Sequence, residues 1–275
     1  VLIWRQMFYP EQMVVARTAY VPIRQSGGDD AEMVNQMLLG EAARVVDIPD
    51  PMWLEIETQT DRYRGFVSAF MVIPLPDHLQ DANLFRIQNR FVDGDAKGHE
   101  VRVPMAGVLF REGTHWFLPD GRRFEPYQEP QSPETTRPFE EQVLHQAEKL
   151  LEVPYLWGGR SVYGVDCSGL THTSALLSGL SLPRDSYMQA RFGAAIPPEI
   201  GLLARGDWLF FSNNSEGRIT HVALYEGDHL FIHASGYVRR NSLDPKSPYF
   251  SARQKEQFVF ARRIRPRPIS TIGND

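Results

Sequence analysis

The single cysteine of this 275-residue chain, Cys167, lies in the run Asp166–Gly169. Apolar spacing over residues 170–180 predicts a helix that ends at Gly179, so Cys167 falls in its first turn. A helix N-terminus carries unpaired amides and a partial positive charge, which lower the pKa of a thiol. The position therefore predicts a nucleophilic cysteine. On composition alone, a lone cysteine is equally a small buried apolar residue.

Two histidines further along the chain are candidates for the base. His221 and His233 lie in strand-like runs separated by Glu226–Asp228. If Gly227 is the centre of an antiparallel hairpin, the two histidines stand directly opposite each other on one face. Opposed residues have Cβ atoms about 5 Å apart, which is close enough for one ring to orient the other. We therefore predict a nucleophile, a base and an orienting group, the arrangement that cysteine hydrolases use.

These residues resemble the NlpC family of bacterial cell-wall cysteine peptidases, a papain-like group. The shared motifs, in the family's order, are Tyr155–Gly159, Asp166–Gly169, Gly206-Asp207, His221–Ala223 and His233-Ala234. The resemblance implies an α+β domain in which the cysteine helix packs against an antiparallel sheet that carries the base. It also places Tyr155 near the nucleophile, where Tyr155 and the Cys167 amide would stabilise the oxyanion. Tyr155 is equally well read as a core aromatic residue.

Composition bounds the remaining function classes. A net charge of -5 and a pI near 5.9 argue against a nucleic-acid footprint, which needs a basic surface. No apolar run approaches the roughly 20 residues of a membrane span. One cysteine excludes an internal disulfide. Because the chain begins at Val1, we expect a signal segment to have been removed and a periplasmic or cell-envelope location, with a cytoplasmic one as the alternative.

The domain prediction has two small SH3-like β-barrels, over residues 1–75 and 76–128, ahead of a papain-like catalytic domain over residues 139–268. In the first barrel, the strand of Trp53–Glu57 leads through a polar turn to Gly65–Val67, which is similar to bacterial SH3-like domains. The polar, proline-rich segment 129–138 reads as a linker. Pro138 then opens a helix. The tail, 266–275, reads as irregular.

By resemblance, the first barrel covers part of the cleft and selects peptides with a free N-terminal L-alanine. The positions implied for substrate binding are Glu41, Tyr63 and Asp185, with Ser168 and Ser186 as secondary candidates. Acidic groups are expected because a confined ammonium needs a charged partner. The bond cut would join γ-D-glutamate to a diamino acid, usually meso-diaminopimelate. If these residues are ordinary surface and capping residues, the enzyme would instead accept long stem peptides and the front domains would hold the wall.

The sequence thus predicts a monomeric cysteine endopeptidase that acts on peptidoglycan-derived peptides, without cofactor, metal or nucleic acid. A zinc site from Cys167, His221 and His233 lacks any supporting Cys-x-x-Cys or His-Glu-x-x-His pattern. An inactive wall-binding domain is disfavoured because all three catalytic positions are filled. A papain-like acyltransferase is the remaining alternative. We expect His172 and His229 to take no part in catalysis.

Overall fold

The computed structural model describes residues 8–80, 82–134, 136–214 and 217–265; within them lie three sheets of six or seven strands, a two-stranded ribbon and four α-helices. Two short 3₁₀ helices cover Asp77–Leu79 and Ile200–Leu202. In this part of the chain no helix is long and apolar enough to cross a membrane. The predicted irregular tail, 266–275, lies outside the described residues.

The first sheet lies at the N-terminal end. Its strands are β1 (Met13–Ala16), β2 (Tyr20–Arg24), β3 (Met33–Leu38), β4 (Ala42–Asp50), β5 (Trp53–Thr58), β6 (Arg64–Ser68) and β7 (Val72–Pro74), in the antiparallel order β3-β2-β6-β5-β4-β1-β7. In β5, buried Leu54 and Ile56 alternate with more exposed neighbours, as the two-residue period of a half-buried strand requires. The edge strands β3 and β7 do not pair in the described residues, so the predicted closure into a barrel is not detected.

The second sheet has its own core. It contains β8 (Asn83–Arg86), β9 (Phe91–Asp95), β10 (Glu100–Pro104), β11 (Val108–Glu112), β12 (His115–Phe117) and β13 (Arg123–Pro126), in the order β10-β9-β13-β12-β11-β8. Trp116 and Phe124 are buried at its centre. No regular element follows in the described residues until the helix at Phe139. The domain boundaries proposed from sequence remain a prediction.

The C-terminal half combines helices with a third sheet. Its elements are α1 (Phe139–Glu148), β14 (Arg160–Ser161), β15 (Gly164–Val165), α2 (Cys167–Leu177), α3 (Ser186–Gln189), β16 (Ala194–Ile196), β17 (Trp208–Phe211), β18 (His221–Gly227), β19 (Leu230–Ser235), β20 (Tyr237–Ser242), α4 (Ala252–Gln257) and β21 (Phe258–Arg263). The six-stranded order is β16-β21-β17-β18-β19-β20. Helix α2 packs against α1 and against β18 and β19 through a core that includes Leu170, Trp208 and Val222. This half is therefore a helix-on-sheet arrangement, and it carries the cysteine and both histidines.

The first sheet meets the C-terminal half through buried, charged hydrogen bonds. The backbone N–H of Arg160 donates to Oε1 of Gln36 over 3.0 Å, and its Nε donates to the Gln36 carbonyl over 2.8 Å. Its guanidinium also pairs with Glu41. Nε of Arg184 donates to Oδ1 of Asn35 over 2.9 Å. Both arginines are only 2% exposed, so this contact excludes water.

The second sheet meets the C-terminal half through apolar contacts of Met105 and Ala106 and through hydrogen bonds of Gln88. Its Oε1 accepts from Nε2 of Gln146 over 2.9 Å, and its carbonyl accepts from Nζ of Lys149 over 3.0 Å. The Gln88 amide nitrogen reaches the carbonyl of Leu177 at 3.4 Å. No arginine–carboxylate pair between this sheet and the C-terminal half occurs among the residues described.

Candidate active site

Cys167 is the first residue of α2, as the apolar spacing predicts. Asp166 is the residue before the helix, and its Oδ1 accepts from the backbone N–H of Gly169 over 2.7 Å. This capping bond satisfies one of the amides that a helix start leaves unpaired. The Cys167 side chain is buried at 7% exposure, with its sulfur against the backbone N–H groups of Val222 and Ser168. Val222 follows His221, so the nucleophile lies beside the start of β18.

Arg184 holds the cap in place. Its Nη1 donates to Oδ1 of Asp166 over 2.9 Å, and its Nη2 donates to Oδ2 over 2.6 Å. The same Oδ2 accepts from the backbone N–H of Gly158 over 2.9 Å. Two parallel bonds between a guanidinium and a carboxylate fix both distance and plane. Because Arg184 also bonds to Asn35, the cysteine helix is tied to the first sheet through two side chains.

Two glycines of the shared motifs are required by close contacts. Gly158 has a φ of +74°, and a Cβ there would lie 2.4 Å from the carbonyl of Met33 in β3. A Cβ on Gly169 would lie 2.1 Å from the carbonyl of Gly159. Both distances are far below van der Waals contact, so a side chain would push the first sheet or the preceding loop away from the cysteine helix.

The two histidines meet, but the hairpin register differs from the prediction. Leu224 pairs with Ile232, which sets His221 two residues away from the position opposite His233. The left-handed turn residues are Asp228 and His229, one step beyond the predicted centre at Gly227, and the ladder shifts before Gly227. Because the displacement is an even number of residues, both histidine side chains stay on one face of the sheet. Their rings are long enough to meet from diagonal positions. Nε2 of His221 and Nδ1 of His233 are 2.8 Å apart.

Asn241, which sequence reasoning missed, extends the hydrogen bonds that begin at His221 and pass through His233. Its Nδ2 donates to the Tyr249 carbonyl over 2.9 Å, which fixes the amide orientation, and its Oδ1 lies 2.9 Å from Nε2 of His233. His233 in its neutral form therefore carries its proton on Nε2 and accepts the Nε2 proton of His221 at Nδ1. Nδ1 of His221 is then left unprotonated. Asn241 stands diagonally across from His233 on β20, a strand that we did not predict.

Burial acts on both reacting groups, which the prediction from the helix start left out. Burial, followed by the Asp166 carboxylate, raises the pKa of the Cys167 thiol to about 12. Burial lowers the pKa of His221 to about 3 and that of His233 to about 4. Burial disfavours the charged form of each group, and so it opposes the low thiol pKa predicted from the helix N-terminus.

Tyr155 lies on the histidine side of the cysteine. Its backbone N–H donates to the Gly236 carbonyl over 2.9 Å, and its ring packs against the core while its edge lines a cavity that His221 also lines. Burial raises the pKa of its phenol, and a charge on Cys167 raises it further. The hydroxyl therefore keeps its proton and can act as a hydrogen-bond donor. Its part in catalysis remains a prediction.

A cavity of about 710 Å³ opens over Cys167, between the first sheet and the C-terminal half. Tyr63 lines it from the first sheet, and Asp185, Ser186 and Ser168 line it from the other side. Burial, then the neighbouring Asp185 carboxylate, raises the pKa of Tyr63 to about 12. Burial also raises the pKa of Asp185, whose carboxylate has no ion-pair or hydrogen-bond partner among the described residues. The structure thus brings four of the five predicted binding residues to one cavity.

Ser168 and Glu41 are occupied differently from the prediction. The Ser168 hydroxyl accepts from Nη1 of Arg184 over 2.8 Å, so it supports the cap as well as lining the cavity. Glu41 does not line this cavity. Its carboxylate pairs with Arg160 and, over 2.7 Å, with Arg86, and accepts from the backbone N–H of Leu38. We predicted that Glu41 contacts substrate, and the structure corrects this prediction. The Glu41 carboxylate joins the two sheets to the C-terminal half.

Further residues of the cavity carry only weak sequence signals. Trp157 lines it, and its indole N–H donates to Glu32 of the first sheet over 2.6 Å. Arg184 directly precedes Asp185 in the sequence, which is the one signal that pointed to it. Arg218 lies over the ring of Tyr187 at 5.5 Å, and both line the cavity. Contacts of this kind depend on the packing of distant segments and leave no periodic pattern.

The remaining histidines stand apart from the cleft. His172 is fully buried on α2, with Nε2 3.3 Å from Oδ2 of Asp61 in the first sheet. The backbone N–H of His229 donates to the hydroxyl of Tyr225 over 3.1 Å. Within the described ranges, no cluster of three or more histidine, cysteine or acidic residues is arranged to hold a metal ion.

Comparison with known protein families gives two matches. The model of the NlpC/P60 family matches residues 152–259, a range that contains Cys167, both histidines and Asn241. The model described as the bacterial dipeptidyl-peptidase Sh3 domain matches residues 23–69, within the first sheet. The two matches fall on the two walls of the cavity.

Individual relatives agree with these matches. The chain is 36% identical over 131 residues to a γ-D-glutamyl-L-lysine dipeptidyl-peptidase of Bacillus cereus, a match that covers 47% of this chain and 38% of that protein. The chain thus spans well under two thirds of that relative. It is 40% identical over 114 residues to the probable endopeptidase NlpC of Escherichia coli, covering 40% of this chain and 69% of the relative.

A solved structure extends the similarity of fold to nearly the whole chain. An NlpC/P60 family protein from Bacillus cereus superimposes with a TM-score of 0.78 at 21% identity, covering 92% of this chain and 100% of the other. At this identity the likeness concerns the fold. It includes the front sheets as well as the half that carries the cysteine.

Proposed function

The chain belongs to the NlpC/P60 family, and we propose that it is a cysteine endopeptidase that hydrolyses the bond between γ-D-glutamate and a diamino acid in peptidoglycan stem peptides. We include in the proposal a preference for peptides with a free N-terminal L-alanine. The family is one of peptidases, and the relatives named above act, by their names, as a dipeptidyl-peptidase and a probable endopeptidase. The bond and the terminal selectivity are our proposal for this chain.

One observation carries the catalytic part. A buried cysteine at the start of a helix lies beside a histidine whose ring is fixed by a second histidine and an asparagine. Because the bonds to His233 and Asn241 place the His221 proton on Nε2, Nδ1 is the nitrogen available to accept a proton. A nucleophile, a base and a group that sets the base's tautomer are the parts needed for acyl transfer.

The reaction follows from this arrangement. Nδ1 of His221 takes the proton of Cys167 as the sulfur attacks the γ-carbonyl, and the new S–C bond forms a tetrahedral intermediate. The Cys167 amide and the Tyr155 hydroxyl donate to its oxygen. His221 then gives the proton to the departing amine as the C–N bond breaks. His221 then takes a proton from a water molecule as this water attacks the thioester. The C–S bond breaks, the γ-glutamyl carboxylate is released, and His221 returns the proton to the sulfur.

Burial of both reacting groups favours a concerted start of this reaction. It raises the pKa of the thiol and lowers that of His221, and so it disfavours the charged form of each group. Proton transfer is therefore favoured only when the sulfur begins to bond with substrate, because the charge then moves onto an oxygen that faces donors. His233 and Asn241 stabilise the imidazolium while it exists.

The cavity supports the proposed selectivity. A free N-terminal ammonium needs an acidic partner in a confined site, and the half-buried Asp185 has an unpaired carboxylate that faces the cavity. Tyr63 adds a hydroxyl from the first sheet, and Ser186 adds one at the start of α3. An acetylated N-terminus would bring no charge and a larger group. We therefore assign Asp185, Tyr63 and Ser186 to the peptide's N-terminal end.

The proposal also covers the roles of the two front sheets and the location of the protein in the cell. The first sheet forms one wall of the cavity, as an SH3-like domain that limits its length, and the second supports it. Peptidoglycan-acting relatives indicate a cell-wall or envelope setting. We propose that the protein acts there, as a monomer and without a cofactor, on peptides released during wall turnover.

The first test replaces the nucleophile. Cys167→Ala should lower hydrolysis of L-Ala-γ-D-Glu-diaminopimelate by more than about a thousandfold, since nothing else in the cleft can form the thioester. Folding is checked by thermal unfolding and substrate binding by calorimetry. Mass spectrometry of the products separates hydrolysis, which releases a free γ-glutamyl carboxylate, from acyl transfer. Undiminished hydrolysis by the variant would refute the mechanism.

The second test addresses the N-terminal end. The same tripeptide is offered with its amine free or acetylated. We expect the free form to be cleaved at least about tenfold faster, because one charge-assisted hydrogen bond contributes about that factor. Asp185→Asn should remove that preference, whereas Glu112→Gln, at an exposed acid of the second sheet, should keep it. Equal cleavage of both peptides by the unmodified enzyme would remove the ammonium site and leave the peptidase intact.

A further inference from the structure

A second cavity, of about 240 Å³, lies on the far side of the catalytic histidine. Tyr155, His221, Arg253, Gln254 and Gln257 are among the residues that line it. Neither Asp185 nor Tyr63 reaches it, while Asn213 and Thr220 border both cavities. The two cavities are thus neighbouring parts of one groove, with the cysteine on one side and the histidine between them.

The chemistry decides which part of a peptide lies in each cavity; this step rests on the proposed function. His221 must give its proton to the departing amine, so the residue that carries this amine lies on the side of the cleft that His221 lines. The half that stays on sulfur lies toward Cys167 and Asp185. In a γ-D-glutamyl peptide the departing residue is the diamino acid. The smaller cavity is therefore the site of the leaving diamino acid.

The lining of this cavity is positively charged. Arg253 is its one formally charged side chain, and it makes no ion pair or hydrogen bond with the residues that the structure describes. Its charge is close enough to the catalytic pair to help lower the pKa of both His221 and His233. A cation without a partner beside the cleft will attract an anionic group of the substrate and repel a cationic one.

Gln254 supplies a second donor among the residues that line this cavity. Its Oε1 accepts from the Ser251 hydroxyl. Its amide nitrogen donates to nothing in the described part of the chain. The nitrogen is therefore available to donate to a ligand. Arg253 and Gln254 together offer donors, and no carboxylate lines the cavity.

We propose that the cavity of Arg253 and Gln254 binds a carboxylate of the leaving diamino acid and that, where this is the side-chain carboxylate, the enzyme favours a diamino dicarboxylate over lysine at this position. A guanidinium and a side-chain amide can hold the two oxygens of one carboxylate. Two carboxylates could occupy the cavity: the α-carboxylate at a free C-terminus, or the side-chain carboxylate of diaminopimelate. Lysine has only an ammonium on its side chain, which Arg253 repels.

The test uses four tripeptides, L-Ala-γ-D-Glu-diaminopimelate with neither, either or both of the diaminopimelate carboxylates converted to amides. A fifth peptide carries lysine. For the unmodified enzyme we expect kcat/KM to fall about tenfold when the bound carboxylate is amidated and to stay within about twofold when the other one is. The carboxylate whose amidation lowers kcat/KM is the one that the cavity binds. If only the α-amide peptide is poorly cleaved, the cavity binds the C-terminus. If only the side-chain amide peptide is poorly cleaved, the cavity binds the diaminopimelate side chain.

Variants separate this contact from any effect on the catalytic pair. Arg253→Gln should abolish the difference between the acid and amide peptides. If the side-chain carboxylate is the bound group, Arg253→Glu should favour the lysine peptide. Lys255→Gln, which removes a cation from the same helix outside the cavity, should leave the ratio unchanged. The ratio of two kcat/KM values for one variant cancels any change in His221 itself. Arg253→Lys should restore most of the preference.

The outcomes are distinguishable. If the unmodified enzyme cleaves all five peptides with equal kcat/KM, the carboxylate site is wrong and the peptidase assignment stands. If Arg253→Gln slows all five by the same factor, Arg253 acts on His221 rather than on substrate, and the inference is again overturned. If no peptide is cleaved at all, the proposed function fails and this inference fails with it.

Discussion

The two front sheets contact the C-terminal half in different ways. The first sheet is joined through two fully buried arginines, Arg160 and Arg184, that bond to the side chains and backbone of β3. The second sheet is joined through hydrogen bonds of Gln88 to an amide, a lysine and a backbone carbonyl, and through apolar contacts of Met105 and Ala106. Of the two sheets, the first supplies the described residues that line the cavity over the cysteine. The sheet that forms part of the cleft is thus the one held by directional, charged bonds.

We call the contact of each front sheet with the C-terminal half a joint, the first joint being that of the first sheet. The difference between the two joints indicates what each has to do. Guanidinium–carboxylate pairs fix distance and orientation, whereas an amide or a long lysine tolerates some displacement. Tyr63 must stay in register with Asp185 across the cleft, and Arg184 bonds to Asp166, Ser168 and Asn35 at once. The second sheet needs only to stay attached. Substitutions at the two joints should therefore differ in kind as well as in size.

The largest effect is expected for Arg184→Met. The change leaves the buried Asp166 carboxylate without its cationic partner, which typically costs about 4 kcal/mol. It also frees the start of α2, and a displacement of the nucleophile by about 1 Å lowers the rate on the order of a hundredfold. Urea unfolding measures the first effect and single-turnover hydrolysis the second. The control Arg102→Met removes an exposed pair with Asp93 in the second sheet; equal losses in the two variants would contradict the comparison.

Glu41→Gln should follow in size. Arg160 would lose its buried carboxylate, and the free energy of unfolding should fall by about 3 kcal/mol. Because Glu41 does not line the cavity, KM for a peptide with a free amine should change little at a temperature where the variant is folded. Glu57→Gln is the control, at an acid of the same sheet whose partners include the exposed arginines Arg62 and Arg64. A raised KM with unchanged stability would instead favour the direct substrate contact predicted from sequence.

Part of the acid-dependent loss of stability should arise at the first joint. Burial lowers the pKa of His172, which lies against Asp61. Below about pH 6.5 the unfolded chain binds a proton at this histidine more readily than the folded chain does, so the free energy of unfolding falls as the pH is lowered. His221 and His233 act in the same direction. The depressed pKa of Asp61 adds a loss below about pH 4, as the carboxylate becomes protonated in the unfolded chain.

The measurement is urea unfolding between pH 7 and 5. His172→Gln should reduce the slope of the free energy of unfolding against pH. His115→Gln, at an exposed histidine of the second sheet, controls for the loss of an imidazole elsewhere. A slope that His172→Gln leaves unaltered would mean that the joint between the first sheet and α2 does not take part in the acid response.

The smallest effect is expected for Gln88→Ala. The variant loses the bonds from Gln146 and to the Leu177 carbonyl, while the backbone carbonyl that binds Lys149 remains. Net losses near 1 kcal/mol are usual for neutral hydrogen bonds. Hydrolysis should stay within about twofold, since the cavity is untouched. A large drop in activity with little change in stability would show that the second sheet positions the cleft after all.

The residues that act locally were predictable from sequence. The cap at Asp166, the helix after it and its end before Gly179 depend on neighbours within one or two turns. The alternating strands of the first sheet, such as β5, are also local patterns. The hairpin was predicted with the wrong centre, because the turn residues Asp228 and His229 adopt left-handed backbone conformations without being glycine.

The residues that act between segments were not predictable. Glu41 reads as an acid beside a turn, and only the packing of Arg160 and Arg86 against it makes it a buried joint. Asn241 lies on a strand whose two arginines hide its pattern, and its role depends on β19 lying beside it. The pKa of Cys167 was predicted to be low from the helix start alone, whereas burial by the surrounding sheet raises it.

The diagonal pairing of His221 and His233 limits how this hairpin can change in length. Adding or deleting one residue in the paired strands between the two histidines, outside the turn and the register shift at residues 226–229, would turn one ring to the opposite surface of the sheet, away from the cysteine. Changing the length by two residues would preserve the surface on which both rings lie. Insertions tolerated by an active enzyme should therefore come in even numbers here, whereas the loop at residues 197–207, which carries none of these three residues, has no such constraint.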